Sequence, residues 1–167
     1  SAEELDLIKT FECGQCFRWN ADESGVYSGA ACGKALKIWE EDGRIICSAK
    51  NEDVPFWRYY FDLDVDYKEK SLSFTEPSYL KKCSDFGAGI RILRQEPWEA
   101  LCSFIISQCN NIPRIKKIIS TLCEIYGEKL DYGLYSFPAA ETLAVLSEKD
   151  LAPLRCGYRA AYILDAA

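Results

Sequence analysis

Three glycine turns constrain this chain before anything else does. Ser24-Gly25, Cys32-Gly33 and Asp42-Gly43 follow one another at intervals of eight and ten residues, and each offers the positive φ that a tight hairpin needs. The segments between them are long enough for strands and too short for helices. Strands are therefore expected at Gln15 to Trp19, Val26 to Ala30, Ala35 to Trp39 and Arg44 to Ser48, joined as a four-stranded antiparallel meander.

Beyond these turns the apolar period changes from two to about 3.6. Asp53-Val54-Pro55 opens an aromatic helix over Phe56 to Phe61, and a second helical stretch is expected from Pro77 to Cys83. From Glu96 onward the pattern is helical throughout. Trp98, Leu101, Cys102 and Ile105 form one apolar stripe. Ile112, Ile115, Ile119, Leu122 and Tyr126 form another, which starts beside Pro113 and stops at Gly127. Pro138 is expected to open a third helix, Ser147 with Asp150 to cap a short fourth, and Gly157 to break the chain before a last helix from Tyr158. The fold class is α+β: an antiparallel α+β domain over residues 1–88, then a helical one over 89–167, with the boundary near Gly87 to Gly89.

The helix that begins at Pro113 carries Arg114, Lys116 and Lys117 in its opening turns. A helix N-terminus already holds partial positive charge and unpaired N–H groups, so cations there cost a few tenths of a kcal/mol each, about 0.3–1 at most, unless an anion arrives. Asn110 or Asn111 can cap this helix. The arrangement suits a solvated charged face or, more pointedly, a backbone phosphate or a base edge. The chain as a whole has a net charge of −6, which argues against a broad basic grip on nucleic acid. That charge belongs to one part. Residues 1–88 hold 17 acidic and 11 basic side chains, whereas residues 89–167 hold 9 of each, so a local, focused contact survives.

No apolar run approaches a membrane span, and the amino end lacks the basic and apolar regions of a signal peptide, so an intracellular, cytoplasmic protein without membrane contact is expected. The nine cysteines are odd in number and irregular in spacing, which suits reduced thiols packed as small apolar groups. Only Cys13 and Cys16 form a C-x-x-C pair. Half a zinc site or a redox couple would fit it, but there is no second such pair and no histidine to complete a ligand set. No metal and no cofactor is expected.

Gly157-Tyr158-Arg159 sets a large aromatic and an arginine after a glycine turn. In isolation this reads as a packed tyrosine and a solvated arginine. The alternative is a wedge and a probe: an aromatic entering a base step kinks a duplex and helps to extrude a nucleotide, and the arginine bonds the base left behind. Five blocks occur in one order: Gly14-Gln15-Cys16-Phe17-Arg18-Trp19; Gly89-Ile90-Arg91-Ile92-Leu93-Arg94-Gln95-Glu96-Pro97; Ser103-Phe104-Ile105-Ile106-Ser107 running into Asn110-Asn111-Ile112-Pro113-Arg114-Ile115; Ser136-Phe137-Pro138; and Gly157-Tyr158-Arg159-Ala160. In these blocks the chain, from about Leu5 to its end, resembles the 8-oxoguanine DNA glycosylases.

The resemblance implies a TATA-binding-protein-like amino-terminal domain joined to the first helices of a helix-hairpin-helix glycosylase domain. It also implies base-excision repair by a glycosylase and abasic-site lyase. Gly14 resembles the glycine whose carbonyl reads the oxidised base. Guanine N7 is an acceptor, whereas in 8-oxoguanine it bears a hydrogen, so a fixed carbonyl accepts from the lesion and repels the normal base. Arg114 and Arg159 resemble the arginines that hold the estranged cytosine, and Tyr158 the aromatic that wedges the duplex. Cys109 departs from the family by standing where an Asn-Asn-Asn run usually begins, with Asn110 and Asn111 completing it, so the first asparagine's contact is altered. The family's Schiff-base lysine and catalytic aspartate match no residue here, Lys116 and Lys117 included. No catalytic residue is therefore expected in this chain, and these residues alone are expected not to excise a base. The implied partner is double-stranded DNA containing an oxidised purine, bound by a monomer. The rivals are an alkylpurine glycosylase of the same superfamily, a non-catalytic duplex-binding module, and a zinc or redox protein built on Cys13 and Cys16.

Overall fold

A computed structural model describes residues 4–72 and 78–167. The chain is α+β. It opens with α1 (Leu7–Glu12), followed by β1 (Asn20–Ala21), β2 (Tyr27–Ala31), β3 (Lys34–Glu41) and β4 (Arg44–Cys47). These strands form one antiparallel sheet in sequence order. Two of its hairpins are held by consecutive positive-φ pairs, Cys32 with Gly33 and Asp42 with Gly43, the conformation whose twist matches that of paired strands. The first turn is closed by Asp22, whose carboxylate accepts from Ser24 N, Ser24 Oγ and Val26 N.

The strand expected at Gln15 to Trp19 is corrected. Pairing begins only at Asn20, opposite Ser28, because the preceding side chains are claimed from elsewhere. Gln15 bonds to the backbone of Thr10, Arg91 and Leu93, Arg18 pairs with Glu99, and Trp19 is buried against Phe11 in a parallel stack with centroids 4.4 Å apart. A Cβ at Gly29 would lie 2.8 Å from Trp19 Cε2, so the sheet admits the indole only over a glycine.

Helices α2 (Val54–Tyr60), α3 (Tyr67–Leu72) and α4 (Ser78–Phe86) follow. The expected start at Pro77 lies outside the described residues, and α4 continues three residues past Cys83. Helices α5 (Pro97–Ser107) and α6 (Ile112–Tyr126) stand where the apolar stripes place them, with Gly127 as the C-cap of α6. Helix α7 (Ala140–Ala144) starts two residues later than Pro138, whose carbonyl instead accepts from Trp98 Nε1 at 3.0 Å. The fourth expected helix is a 3-10 turn, Ala152–Leu154. Asp150 does take both Ser147 N and Ser147 Oγ, but Pro153 and the left-handed Arg155 stop the turn from propagating. Helix α8 runs Arg159–Ala166, with Tyr158 at its cap.

Apolar side chains gather in two clusters. The first joins Leu5, Phe11, Trp19, Leu36, Trp57 and Phe61, and reaches across Gly87 to Gly89 to include Leu93. The second joins Cys102, Ile106, Ile119, Leu122, Leu143 and Ile163, with Phe17 packed against it from the amino-terminal side. Gly89, at φ +87°, would bring a Cβ within 2.8 Å of Asp6 Cβ, and its carbonyl accepts from Asp6 N at 2.8 Å.

Candidate nucleic-acid interface

The opening of α6 is built from asparagines. Asn111 caps the helix, its Oδ1 accepting from Arg114 N at 3.1 Å. Asn110 supplies the turn before it, donating from Nδ2 to the Ile106 carbonyl at 3.0 Å and accepting from Asn111 N at 3.0 Å. Cys109 is exposed and adopts φ +47°, a left-handed conformation that costs a residue with a Cβ roughly 1 kcal/mol or more. The first turn of α6 contains no acid.

Arg159 holds that strained turn in place. Its guanidinium donates from Nε to the Gln108 carbonyl at 3.1 Å, from Nη2 to the carbonyls of Gln108 and Cys109, and from Nη1 to that of Cys156 at 3.2 Å. The residue is only 6% exposed. It is neither the solvated arginine of the simple G-Y-R reading nor a side chain reaching outward. Tyr158 does project, at 56% exposure. Its ring lies 4.6 Å from Arg159 Cζ and edge-on to Tyr162 at 5.8 Å. Arg114 is exposed and donates to the Arg155 carbonyl at 3.1 Å. Residues 108–114 and 155–159, some 45 positions apart in sequence, are thus brought together by Arg159 and Arg114.

Lys116 does not join this group. Its ammonium lies 3.3 Å from Glu12 and donates to the Trp19 carbonyl at 3.0 Å, so the anion its place in the helix called for comes from α1. The same pair draws the Gly14 turn towards α6. Gly14 follows α1 at φ +88° with open space where a Cβ would be, and no donor among the described residues reaches its carbonyl. Sequence reasoning missed the residue beside it. The Gln15 amide gives its two hydrogens to the carbonyls of Thr10 (2.9 Å) and Arg91 (2.8 Å), and its oxygen accepts from Leu93 N (3.0 Å).

It also missed the ion pair between the halves. Arg18 lies 3.0 Å from Glu99 with both side chains about nine-tenths buried, and it also donates to the Tyr135 carbonyl. Burial pushes the Glu99 carboxyl up, against the pull of Arg18. A small cavity of about 80 Å³ lies on this seam, bordered by Phe17, Arg18, Lys116 and Tyr135.

The cysteines are all free thiols. Cys16 is buried, and that burial pushes its thiol up to about 12, which disfavours the thiolate that zinc binding or disulfide exchange requires. Among the described residues no three His, Cys, Asp or Glu side chains group as a metal site. Nor is any described helix long and apolar enough to cross a membrane.

Comparison with known proteins gives a consistent picture. A family model described as 8-oxoguanine DNA glycosylase, N-terminal domain, matches residues 1–101. The N-glycosylase/DNA lyase of Saccharomyces cerevisiae is 34% identical over 98% of this chain and 49% of its own length. The N-glycosylase/DNA lyase OGG1 of Arabidopsis thaliana is 30% identical over 96% and 47%. Among solved structures, the Clostridium acetobutylicum 8-oxoguanine glycosylase/lyase, in complex with double-stranded DNA containing cytosine opposite 8-oxoguanine, superposes with a TM-score of 0.92. It is 41% identical, over 98% of this chain and 58% of that one. The chain spans about half the length of the curated relatives it matches.

Proposed function

This chain belongs to the 8-oxoguanine DNA glycosylase family, and on that premise we propose that its residues serve base-excision repair in a glycosylase and abasic-site lyase acting on 8-oxoguanine in duplex DNA. They form one wall of the lesion pocket and much of the grip on the opposite strand. The observation that carries this reading is the convergence of Asn110, Asn111 and Arg114 with Tyr158 and Arg159 at one helix mouth. The Gly14 turn is drawn to the same helix through Glu12 and Lys116.

The chemistry follows from these positions. The Gly14 carbonyl accepts the N7 hydrogen that 8-oxoguanine has and guanine lacks. Tyr158 enters the stack where the damaged nucleotide leaves it, at a cost of a few kcal/mol of unstacking that contacts to the extruded base and its partner offset. Arg114 carries the donors facing the base left behind. The Arg159 guanidinium fixes the Cys109 turn and stiffens the tyrosine above it. Cys109 lies at the turn facing the orphaned base, with a thiol in place of an amide. Lys116 is tied to Glu12 and to the Trp19 carbonyl and matches no position of the family's Schiff-base lysine, so no covalent step is assigned to it.

The division at 1–88 and 89–167 is part of this reading, supported by the two apolar clusters, which cross it only at Leu93 and Phe17. So is a cytoplasmic monomer, nucleoid-associated if bacterial, in keeping with nine reduced thiols. The test compares release of 8-oxoguanine and of 3-methyladenine from otherwise identical duplexes by the full-length protein. Selective release of 8-oxoguanine supports the assignment. Release of 3-methyladenine would move it to the alkylpurine enzymes, and lesion-blind binding with no release would reduce it to a duplex-binding module.

A further inference from the structure

Resting on the assignment of Gly14 as the lesion reader, we infer that Gln15 is the positioning residue that makes that carbonyl discriminate. A carbonyl rejects guanine only if it cannot turn away from N7. Gly14 by itself provides no such rigidity: it has no side chain, sits at φ +88° and meets nothing within 4 Å of a notional Cβ, so a flip of the Gly14–Gln15 peptide would be cheap.

The constraint comes from the next residue. The peptide plane that carries the Gly14 carbonyl is set by ψ of Gly14 and φ of Gln15, and a flip would drive Gln15, which has a Cβ and no positive φ in the fold, into the left-handed region; its side chain and its own carbonyl are both held, so its α-carbon cannot shift to relieve that strain. Its amide nitrogen bridges the Thr10 carbonyl at the end of α1 (2.9 Å) and the Arg91 carbonyl (2.8 Å), and its amide oxygen takes Leu93 N (3.0 Å). Its main-chain carbonyl accepts from Gln95 Nε2 at 2.6 Å. The side-chain amide therefore uses both hydrogens and its oxygen on three fixed backbone groups, as two carbonyls and one N–H demand, so it has only one sensible orientation. Arg91 is itself immobile, being 4% exposed, with its guanidinium bonded to the carbonyls of Glu4, Asp62 and Val65. The carbonyl that reads the base is thus referenced to the first apolar cluster through one glutamine.

The experiment measures two ratios in the full-length protein: excision of 8-oxoguanine over guanine opposite cytosine, and excision of 8-oxoguanine opposite cytosine over adenine. Gln15→Leu removes the side-chain bridge, Gln95→Leu removes only the anchor on the Gln15 carbonyl, and Gly14→Ala controls for the reader itself. The expected result is a fall of about tenfold in the first ratio for both leucine variants, the size of one lost hydrogen bond, with the second ratio unchanged. If Gln15→Leu fails to fold, Gln95→Leu decides alone. An unchanged first ratio in Gln95→Leu and in any folded Gln15→Leu, while Gly14→Ala lowers it, would overturn the role of Gln15 and leave the Gly14 reading intact. An unchanged ratio in Gly14→Ala would overturn both. A parallel fall in both ratios would also overturn the inference, since it marks general loosening.

Discussion

Arg18 and Glu99 show how much one unseen contact can decide at the residue scale. Arg18 was legible only as part of a motif, and nothing in the sequence links it to a glutamate 81 positions later. Removing one partner of a buried ion pair costs about 3–5 kcal/mol, so Arg18→Ala should lower stability by that order at pH 7. The pH dependence has a definite sign. Burial raises the Glu99 carboxyl above its ordinary 4.5 in the fold, so its favourable protonated state counts fully below that value and is lost as pH rises through the folded one. Without Arg18 the carboxyl rises further. The deficit of Arg18→Ala, measured by urea unfolding, should therefore shrink between pH 7 and pH 5; a deficit independent of pH would contradict the account. The two interface arginines should separate in a different way. Arg114→Ala, an exposed change, should weaken preference for the opposite base by about 1–3 kcal/mol with little change in thermal stability. Arg159→Ala should lower both, because the carbonyls of Gln108, Cys109 and Cys156 lose their donor. Equal stability of the two variants would refute the clamp role.

At the scale of elements, helix α5 was legible from its apolar stripe, and α6 because stripe, proline and cap all agreed, with Asn111 as the cap. Asn111→Ala should cost about 1 kcal/mol. Asn111→Asp should be neutral or stabilising by a few tenths, roughly 0.3–1 kcal/mol at the helix dipole, yet weaken binding to duplex DNA, since on the proposed reading the added charge would face phosphate. Melting temperature and a binding isotherm at fixed salt check both halves of this statement, and a change of the same sign in both would contradict it. Elsewhere local pattern misled. Gln15 to Trp19 reads as a strand leading into the first glycine turn, but its side chains serve the backbone of Arg91 and Leu93, Glu99 and two different cores, so only Asn20 and Ala21 pair. Helix α1 is capped by Asp6 through Lys9 N, but at six residues it is too short to show an apolar stripe.

At the scale of the whole molecule, the described residues form two apolar clusters joined by a polar seam, and the seam is what sequence could not give. Arg18 to Glu99, Lys116 to Glu12 and Tyr132 to Ser48 each join residues more than 80 positions apart, while periodicity and capping report only on near neighbours. The clusters also sort the thiols: Cys13, Cys32, Cys47, Cys83 and Cys109 are exposed and Cys16, Cys102, Cys123 and Cys156 buried. A thiol reagent at neutral pH should accordingly titrate five groups in the native protein and nine after denaturation; nine at once would mean that the clusters are not closed. The most direct test of the central claim is single-turnover excision by the full-length protein on two duplexes that differ only in carrying 8-oxoguanine or guanine opposite cytosine. The account predicts release from the first, slowed in Tyr158→Ala and Arg114→Ala, and far slower release from the second. Equal handling of the two duplexes would contradict it.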